Sequence, residues 1–126
     1  MELFGYRKLV AYKKAKGLVC QTYLLLKKFP SIEQHAMCGQ LRRAAISITS
    51  NIAEGVNRSS VKEKVHFIEI SFASLMEVSS QFEIAEELGY ITTEERLSID
   101  KVIEEIARLL SGLRKSFIIQ NSEFSS

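Results

Sequence analysis

The sequence has little that interrupts a helix and little that anchors a fold covalently. Its 126 residues include one proline, six glycines and no tryptophan, so long stretches run uninterrupted and favour an all-α fold. Two cysteines, Cys20 and Cys38, are too few for a disulfide framework. The charged N-terminal segment does not resemble a signal peptide, and no uncharged apolar run approaches the roughly 18 residues that span a bilayer. We therefore expect a cytoplasmic protein with no membrane partner.

Complete catalytic and metal constellations are also missing. The serines have no Gly-x-Ser-x-Gly elbow, and no glycine-rich phosphate loop occurs. Glu63 and His66 form one Glu-x-x-His motif of a di-iron bundle, but the other histidine, His35, has no glutamate three residues before it. His35 and Cys38 supply at most two zinc ligands. The sequence therefore predicts no enzymatic activity, no cofactor and no metal site.

Four helices separated by short loops are predicted from the spacing of apolar residues. Such an arrangement favours an antiparallel, up-down-up-down four-helix bundle. The whole chain forms a single domain, 1–126, with helices at about 6–28, 32–54, 61–88 and 93–119 and a frayed polar tail at 120–126. In the first helix the predicted core positions are Leu9, Tyr12, Val19, Tyr23 and Leu26.

The helix boundaries follow from local signals. Pro30 ends the first helix because proline disfavours helical geometry at the residue before it. Gly55 is predicted to end the second helix in a left-handed conformation, and Gly89 to end the third. Capping boxes are predicted to begin the last three helices, at Ser31 with Gln34, Ser60 with Glu63, and Thr92 with Glu95.

One face of the second helix carries a polar stripe that is the main candidate for function. The stripe comprises Arg43, Ser47, Ser50, Asn51, Glu54 and Arg58, the last five of which lie within about 80° of Arg43 on a helical projection. Leu41, Ile48 and Ile52 lie on the opposite side. We interpret Ser47, Asn51 and Glu54 as an oligomer interface or a structural polar stripe, with Arg58 or an arginine of another subunit as the partner of Glu54.

The net charge of +2 conceals an uneven distribution. Residues 1–58 carry a net charge of +7, whereas residues 59–126 carry −5. Arginine and lysine suit phosphate contacts, so the first hypothesis is a non-enzymatic nucleic-acid-associated protein that binds RNA or DNA phosphates through helices one and two. The residues assigned to this surface are Arg42, Arg43, Arg58, Lys13, Lys14 and Lys16. The alternative is that the basic helices pair with the acidic ones inside the bundle.

A second hypothesis is a homo-oligomeric protein–protein scaffold that recruits a partner such as a polymerase and binds no nucleic acid itself. The third predicted helix is apolar on more than one face, which indicates a further packing partner such as another subunit. Phe67, Ile70 and Ile84 lie away from its main apolar side. This hypothesis places the polar stripe in subunit contacts.

The chain also resembles the small four-helix-bundle proteins encoded in intervening sequences of bacterial 23S ribosomal RNA genes. The residues that carry the resemblance are Phe29-Pro30, Glu33, Gln40–Ala45, Ser47-Ile48, Asn51–Gly55, Arg58, Ser74-Leu75, Glu77 and Leu88–Ile91. The resemblance implies a cyclic homo-oligomer, a homopentamer, with a basic surface proposed to meet nucleic acid. The chain is similar, too, to accessory proteins of diversity-generating retroelements, which share that assembly and partner a reverse transcriptase.

Overall fold

A computed structural model describes the backbone of residues 5–125 and the side chains of residues 5–120. The described part of the chain contains helices and no strand, which confirms the all-α prediction. The elements are a 3-10 turn at Gly5–Lys8, α1 at Val10–Leu26, a 3-10 turn at Ser31–Glu33, α2 at Met37–Val56, α3 at Val61–Glu87 and α4 at Thr93–Ser125. Helix α1 packs against α2 and α4, and α3 packs against the same two helices, so the core lies between all four.

The start of α2 differs from the prediction. The prediction that a helix begins at residue 32 with a Ser31/Gln34 capping box was wrong. Helix α2 begins at Met37, after a separate 3-10 turn. The Gln34 amide nitrogen instead donates to the carbonyl oxygens of Leu26 and Phe29, at 3.2 and 3.3 Å. Gln34 therefore donates to carbonyl groups at and just after the end of α1, where the Leu26 carbonyl oxygen also accepts from the Phe29 amide.

Of the other two predicted capping boxes, the one at α4 is complete, and at α3 only the bond from the Glu63 amide to Ser60 is present. The Glu63 amide donates to the Ser60 hydroxyl at 3.1 Å. At α4, the Glu95 amide donates to the Thr92 hydroxyl at 3.1 Å, and the Thr92 amide donates to the Glu95 carboxylate at 2.9 Å. Gly89, with φ +80°, provides the left-handed residue that follows α3.

Gly55 does not end α2 in a left-handed conformation as predicted, because α2 continues through it to Val56. The residue is buried at the point where α2 meets α3. A Cβ placed on Gly55 would lie 3.2 Å from Phe67 Cβ and 3.3 Å from both Ile68 Cδ1 and the Lys64 carbonyl oxygen. The glycine is therefore needed for close helix approach rather than for a turn.

The helix ends and one core face also differ from the sequence prediction. Helix α1 begins at Val10 rather than residue 6 and ends at Leu26 rather than residue 28, while α3 ends one residue early. Helix α4 continues to Ser125, where a frayed tail from residue 120 was predicted, and residue 126 lies outside the described residues. The buried positions of α1 are Ala11, Ala15, Leu18, Thr22 and Leu26.

Alanines thus occupy core positions in α1 where larger residues were predicted. Of the predicted set, Leu26 is buried and Leu9, Tyr12 and Val19 are only partly buried. Tyr23 is 41% exposed. Small side chains at the centre of the contact allow α1 to approach its neighbours, while the larger ones cover the edges. Separately, no helix within residues 5–125 has the length and apolar character of a membrane span.

Candidate interaction surface

Part of the polar stripe meets α3, whereas Arg43, Ser50 and Glu54 are exposed to solvent. The Ser74 hydroxyl donates to the Ser47 hydroxyl at 2.9 Å. The Asn51 amide nitrogen donates to the Ser47 carbonyl oxygen at 2.8 Å and to its hydroxyl at 3.0 Å. Ser71, which is fully buried, donates to the Ile48 carbonyl oxygen at 2.7 Å. Ser47 therefore connects α2 to α3, and Asn51 supports Ser47 from within α2, which agrees with the structural interpretation of these two residues.

These contacts define the α2–α3 seam, made up of Ser47, Asn51, Gly55, Ser71 and Ser74. Its members are small or short polar residues, so the two helix backbones lie close together. Buried hydroxyl groups are satisfied by the facing helix, which avoids the cost of burying an unpaired polar atom. The seam makes α2 and α3 a tightly joined pair.

Arg58 is held at the other end of α2. Its guanidinium contacts Glu54 at 3.0 Å and Glu63 at 3.3 Å, and it lies 4.7 Å from the centre of the Phe67 ring. The predicted partnership of Glu54 with Arg58 is therefore observed within one chain. Arg58 joins the end of α2 to the start of α3, so a phosphate contact would compete with two carboxylates.

Arg42 is likewise engaged inside the chain. It is partly buried, and its guanidinium donates to the Gln34 carbonyl oxygen at 2.8 Å. At the same end of the bundle the Tyr90 hydroxyl donates to Glu33 at 2.8 Å, a bond that raises the pKa of Tyr90. The Phe29 and Tyr90 ring centres lie 5.2 Å apart. These contacts join the connection between α1 and α2 to the start of α2 and to the residues that follow α3.

Arg43 is the member of the arginine pair that faces solvent. Its side chain lies against Gly39, where an added Cβ would approach the guanidinium to 3.4 Å. Within the described part of the chain it forms no hydrogen bond or ion pair with another side chain. Arg43 thus lies on the outer face of α2 and is free to meet a partner.

The three lysines of α1 point in different directions. Lys14 contacts Glu105 of α4 at 3.4 Å, whereas the Lys16 ammonium lies 5.9 Å from the Tyr12 ring centre. Lys13 is exposed, and its side chain makes no ion pair with the described residues. The structure therefore does not bring the six predicted phosphate-binding residues together on one surface.

Two ion-pair clusters that the sequence did not indicate hold α4 in the bundle. Lys28, after α1, contacts Glu95 at 2.6 Å, and this contact lowers the pKa of the Glu95 carboxyl. At the end of α3, Glu86 accepts from Thr93 at 2.7 Å and pairs with Arg96, and both contacts lower the pKa of Glu86. The opposite charges could be read from the sequence, but their pairing depends on how the helices pack.

The candidate metal ligands are separated. Glu63 accepts from Ser60 and Arg58, while His66 is exposed with its ring against Phe67. Cys38 is buried, and this burial raises the pKa of its thiol. Among the described residues, no three histidine, cysteine or acidic side chains come together.

A groove that sequence reasoning missed runs between α3 and α4. It consists of two open hollows of about 360 and 240 Å³. Its lining includes Ile68, Phe72, Leu110 and Met76, with small residues on both helices. The signal in the sequence is the pairing of Ala73 and Ser79 on α3 with Ala107 and Ser111 on α4, which leaves space between the helices. We call this feature the α3–α4 groove.

Comparison with known proteins places the chain in a family. A model of the 23S rRNA-intervening sequence protein family matches residues 7–112. The chain belongs to this family. No curated protein matches the sequence. A crystal structure from the S23 ribosomal protein family of Bacteroides thetaiotaomicron is 27% identical, with a TM-score of 0.76 over 84% of this chain and 99% of the other.

The family assignment confirms the resemblance and supports the helical fold. The similar crystal structure is described as that of a protein with unknown function, so the match gives no activity to carry over. The function of this member of the 23S rRNA-intervening sequence protein family must therefore be argued from its own surfaces.

Proposed function

We propose that this protein is a non-enzymatic homo-oligomeric scaffold whose copies associate through oppositely charged sides of the bundle. The observation that carries the proposal is the segregation of charge between helices. Residues 5–30 contain seven lysines and arginines and no acidic residue, whereas α3 contains six glutamates and two lysines. Complementary surfaces on one molecule favour association between copies, because each copy brings both signs.

The bundle underlying this proposal has antiparallel, up-down-up-down helices. Ion pairs between helix ends support the arrangement. Lys28, just after α1, meets Glu95 in the first turn of α4, and Glu86, near the end of α3, meets Arg96 in the first turns of α4. The end of α2 meets the start of α3 at Gly55. Neighbouring helices that join end to start in this way run in opposite directions.

Exposed apolar side chains lie on both charged sides of the bundle. Val10 and Leu24 of α1 are 55% and 63% exposed, and Met76 and Ile84 of α3 are 41% and 47% exposed. Apolar residues surrounded by charge are typical of interaction surfaces. A head-to-tail contact between the two sides would generate a ring if its rotation closes, and the resemblance implies five copies.

Nucleic-acid binding is the second candidate function, and a different observation favours it. Arg43 and Lys13 are exposed cations whose side chains have no partner among the described residues, and α1 has no acidic residue to reduce its positive potential. Several copies in one assembly would present several such cations to a phosphate backbone. The protein would then bind RNA or DNA directly in addition to, or instead of, recruiting a protein partner such as a polymerase.

The scaffold proposal is tested by the mass of the purified chain in solution, measured by light scattering after gel filtration. A single chain has a mass of 14.3 kDa, so assembly gives a clear multiple of that value. We expect the mass to fall as salt is raised, because charge complementarity is screened. A mass of one chain at low salt and high protein concentration would contradict the proposal.

The two candidates are separated by fluorescence anisotropy with labelled structured RNA and duplex DNA over a salt series. Affinity that falls steeply with salt would indicate phosphate contacts. Charge reversal of Arg43 tests the exposed site, with reversal of Arg42 as a comparison, since Arg42 already donates to a backbone carbonyl oxygen. Equal binding by wild type and the Arg43 variant would remove Arg43 from the site.

A further inference from the structure

We infer that the outer face of α1 from one copy lies in the α3–α4 groove of a second copy. The inference rests on the proposed self-association and identifies the two surfaces that make it. Within the described residues α1 does not pack against α3, so the two surfaces are on different parts of the bundle. One copy therefore offers both halves of the contact to two different neighbours.

The outer face of α1 has the spacing of a helix that packs against another helix. We define the α1 stripe as Val10, Lys13, Gly17, Cys20, Leu24 and Lys27, all of which are exposed. These positions recur at alternating steps of three and four residues, the seven-residue repeat typical of helix–helix packing. Gly17, Cys20 and Leu24 lie between the two lysines of the stripe, Lys13 and Lys27.

Gly17 gives this stripe a point of close approach. An added Cβ would meet nothing within 4 Å, so nothing in its own chain requires a glycine there. Glycine inside an exposed helix costs stability relative to alanine. Close packing of a helix from a second copy at this position would explain the presence of a residue without a side chain.

The α3–α4 groove fits such a helix in shape. Ile68, Phe72 and Leu110 line one hollow, and Met76 and Ile103 line the next one along the same pair of helices. Apolar residues in the floor and small residues on the walls are features of grooves that accept an amphipathic helix. Leu24 and Val10, the most exposed apolar residues of α1, would supply the side chains that fill it.

Charge complementarity selects a basic occupant. Four acidic residues and two arginines line the groove, and both arginines already contact acidic partners in the same chain. Glu83 and Glu104 lie on opposite helices of the second hollow. Lys13 and Lys27 form no side-chain ion pair or hydrogen bond with the described residues. The α1 stripe therefore brings unpaired positive charge to a negative groove, which a nucleic acid would not enter.

The test is a charge-swap experiment with two variants of the full chain. The first variant carries Lys13→Glu and Lys27→Glu, and the second carries Glu83→Lys and Glu104→Lys. Each variant alone places like charges in the contact, so we expect the mass of a single chain where wild type is oligomeric. In an equimolar mixture the contacts between different variants have opposite charges, so we expect species larger than one chain to return; a closed ring of five cannot alternate two variants, so their mass need not equal that of wild type.

Controls separate loss of contact from loss of fold. Helical circular dichroism at 222 nm should match wild type for both variants, and Glu77→Lys, an exposed change on α3 outside the groove, should leave the mass unchanged. The inference is overturned if the groove variant keeps the wild-type mass, or if the folded variants remain single chains after mixing. A monomeric wild type would refute self-association itself. An oligomeric wild type with unaffected variants would refute only this pair of surfaces.

Discussion

Replacing Gly55 with alanine tests the close approach of α2 and α3 directly. At an ordinary helix position this change stabilises a protein by about 0.5–1 kcal/mol, because glycine loses more backbone entropy on folding. At Gly55 the new Cβ would lie 3.2 Å from Phe67 Cβ and 3.3 Å from a backbone oxygen that cannot move independently. Overpacking of this kind costs about 1–3 kcal/mol. We therefore expect a net loss of about 1 kcal/mol, equivalent to roughly 3–5 °C in Tm for a chain of this size.

The matched control is Gly112→Ala on α4, where an added Cβ would meet nothing within 4 Å. This change should stabilise the protein by about 0.5–1 kcal/mol. Both variants are compared with wild type by urea and thermal unfolding at one protein concentration, since assembly shifts apparent stability. If Gly55→Ala stabilises the chain as much as Gly112→Ala does, the reasoning about the seam is refuted.

Three further changes test other contacts. Ser71→Ala should lower the free energy of unfolding by about 1 kcal/mol, because it removes the buried hydroxyl that donates to Ile48; urea unfolding with no change in midpoint would contradict this. Arg58→Ala should lower the free energy of unfolding by about 1 kcal/mol, because the ion pairs and the ring contact are lost. We expect little change in RNA affinity; a large loss of RNA affinity with unchanged stability would instead favour a phosphate contact. The pKa of Glu95 is lower in the folded chain, so its stabilising contribution is present above the unfolded pKa of about 4.3 and is lost as pH falls through the folded pKa. Glu95→Gln should therefore weaken the acid dependence of the urea midpoint, and an unaltered pH profile would show that the contact with Lys28 contributes nothing.

The sequence predicted those features of the fold that depend on residues close together in the chain. Four helices, the capping residues Ser60 and Thr92, and the glycine after α3 were recoverable, because each depends on residues close in the chain. The start of α2 was not, since the Gln34 side chain turns back to α1 rather than to its own helix. The role of Gly55 was missed for a similar reason: its neighbours on α3 are distant in sequence.

The candidate site was harder to predict than the fold. A helical projection grouped Ser47 and Asn51, which meet on α2, but it could not show that Ser47 faces α3. The projection also extended the helix to Arg58, which lies beyond the end of α2 at Val56. Arg42 and Arg43 are adjacent in sequence and chemically identical. Arg42 nevertheless donates a hydrogen bond to the Gln34 carbonyl oxygen, whereas Arg43 faces solvent. The distinction depends on tertiary packing, which composition and periodicity do not contain.

The α2–α3 seam links the two surfaces of the molecule that we expect to meet partners. Because α2 and α3 are joined by buried hydroxyl bonds and a close glycine contact, we expect the two helices to resist displacement relative to each other more than α1 and α4 do. The outer face with Arg43 belongs to α2, and one wall of the α3–α4 groove belongs to α3. A ligand at Arg43 and a neighbouring copy in the α3–α4 groove would therefore both contact the α2–α3 pair. We expect a displacement of one to be passed to the other through these two helices.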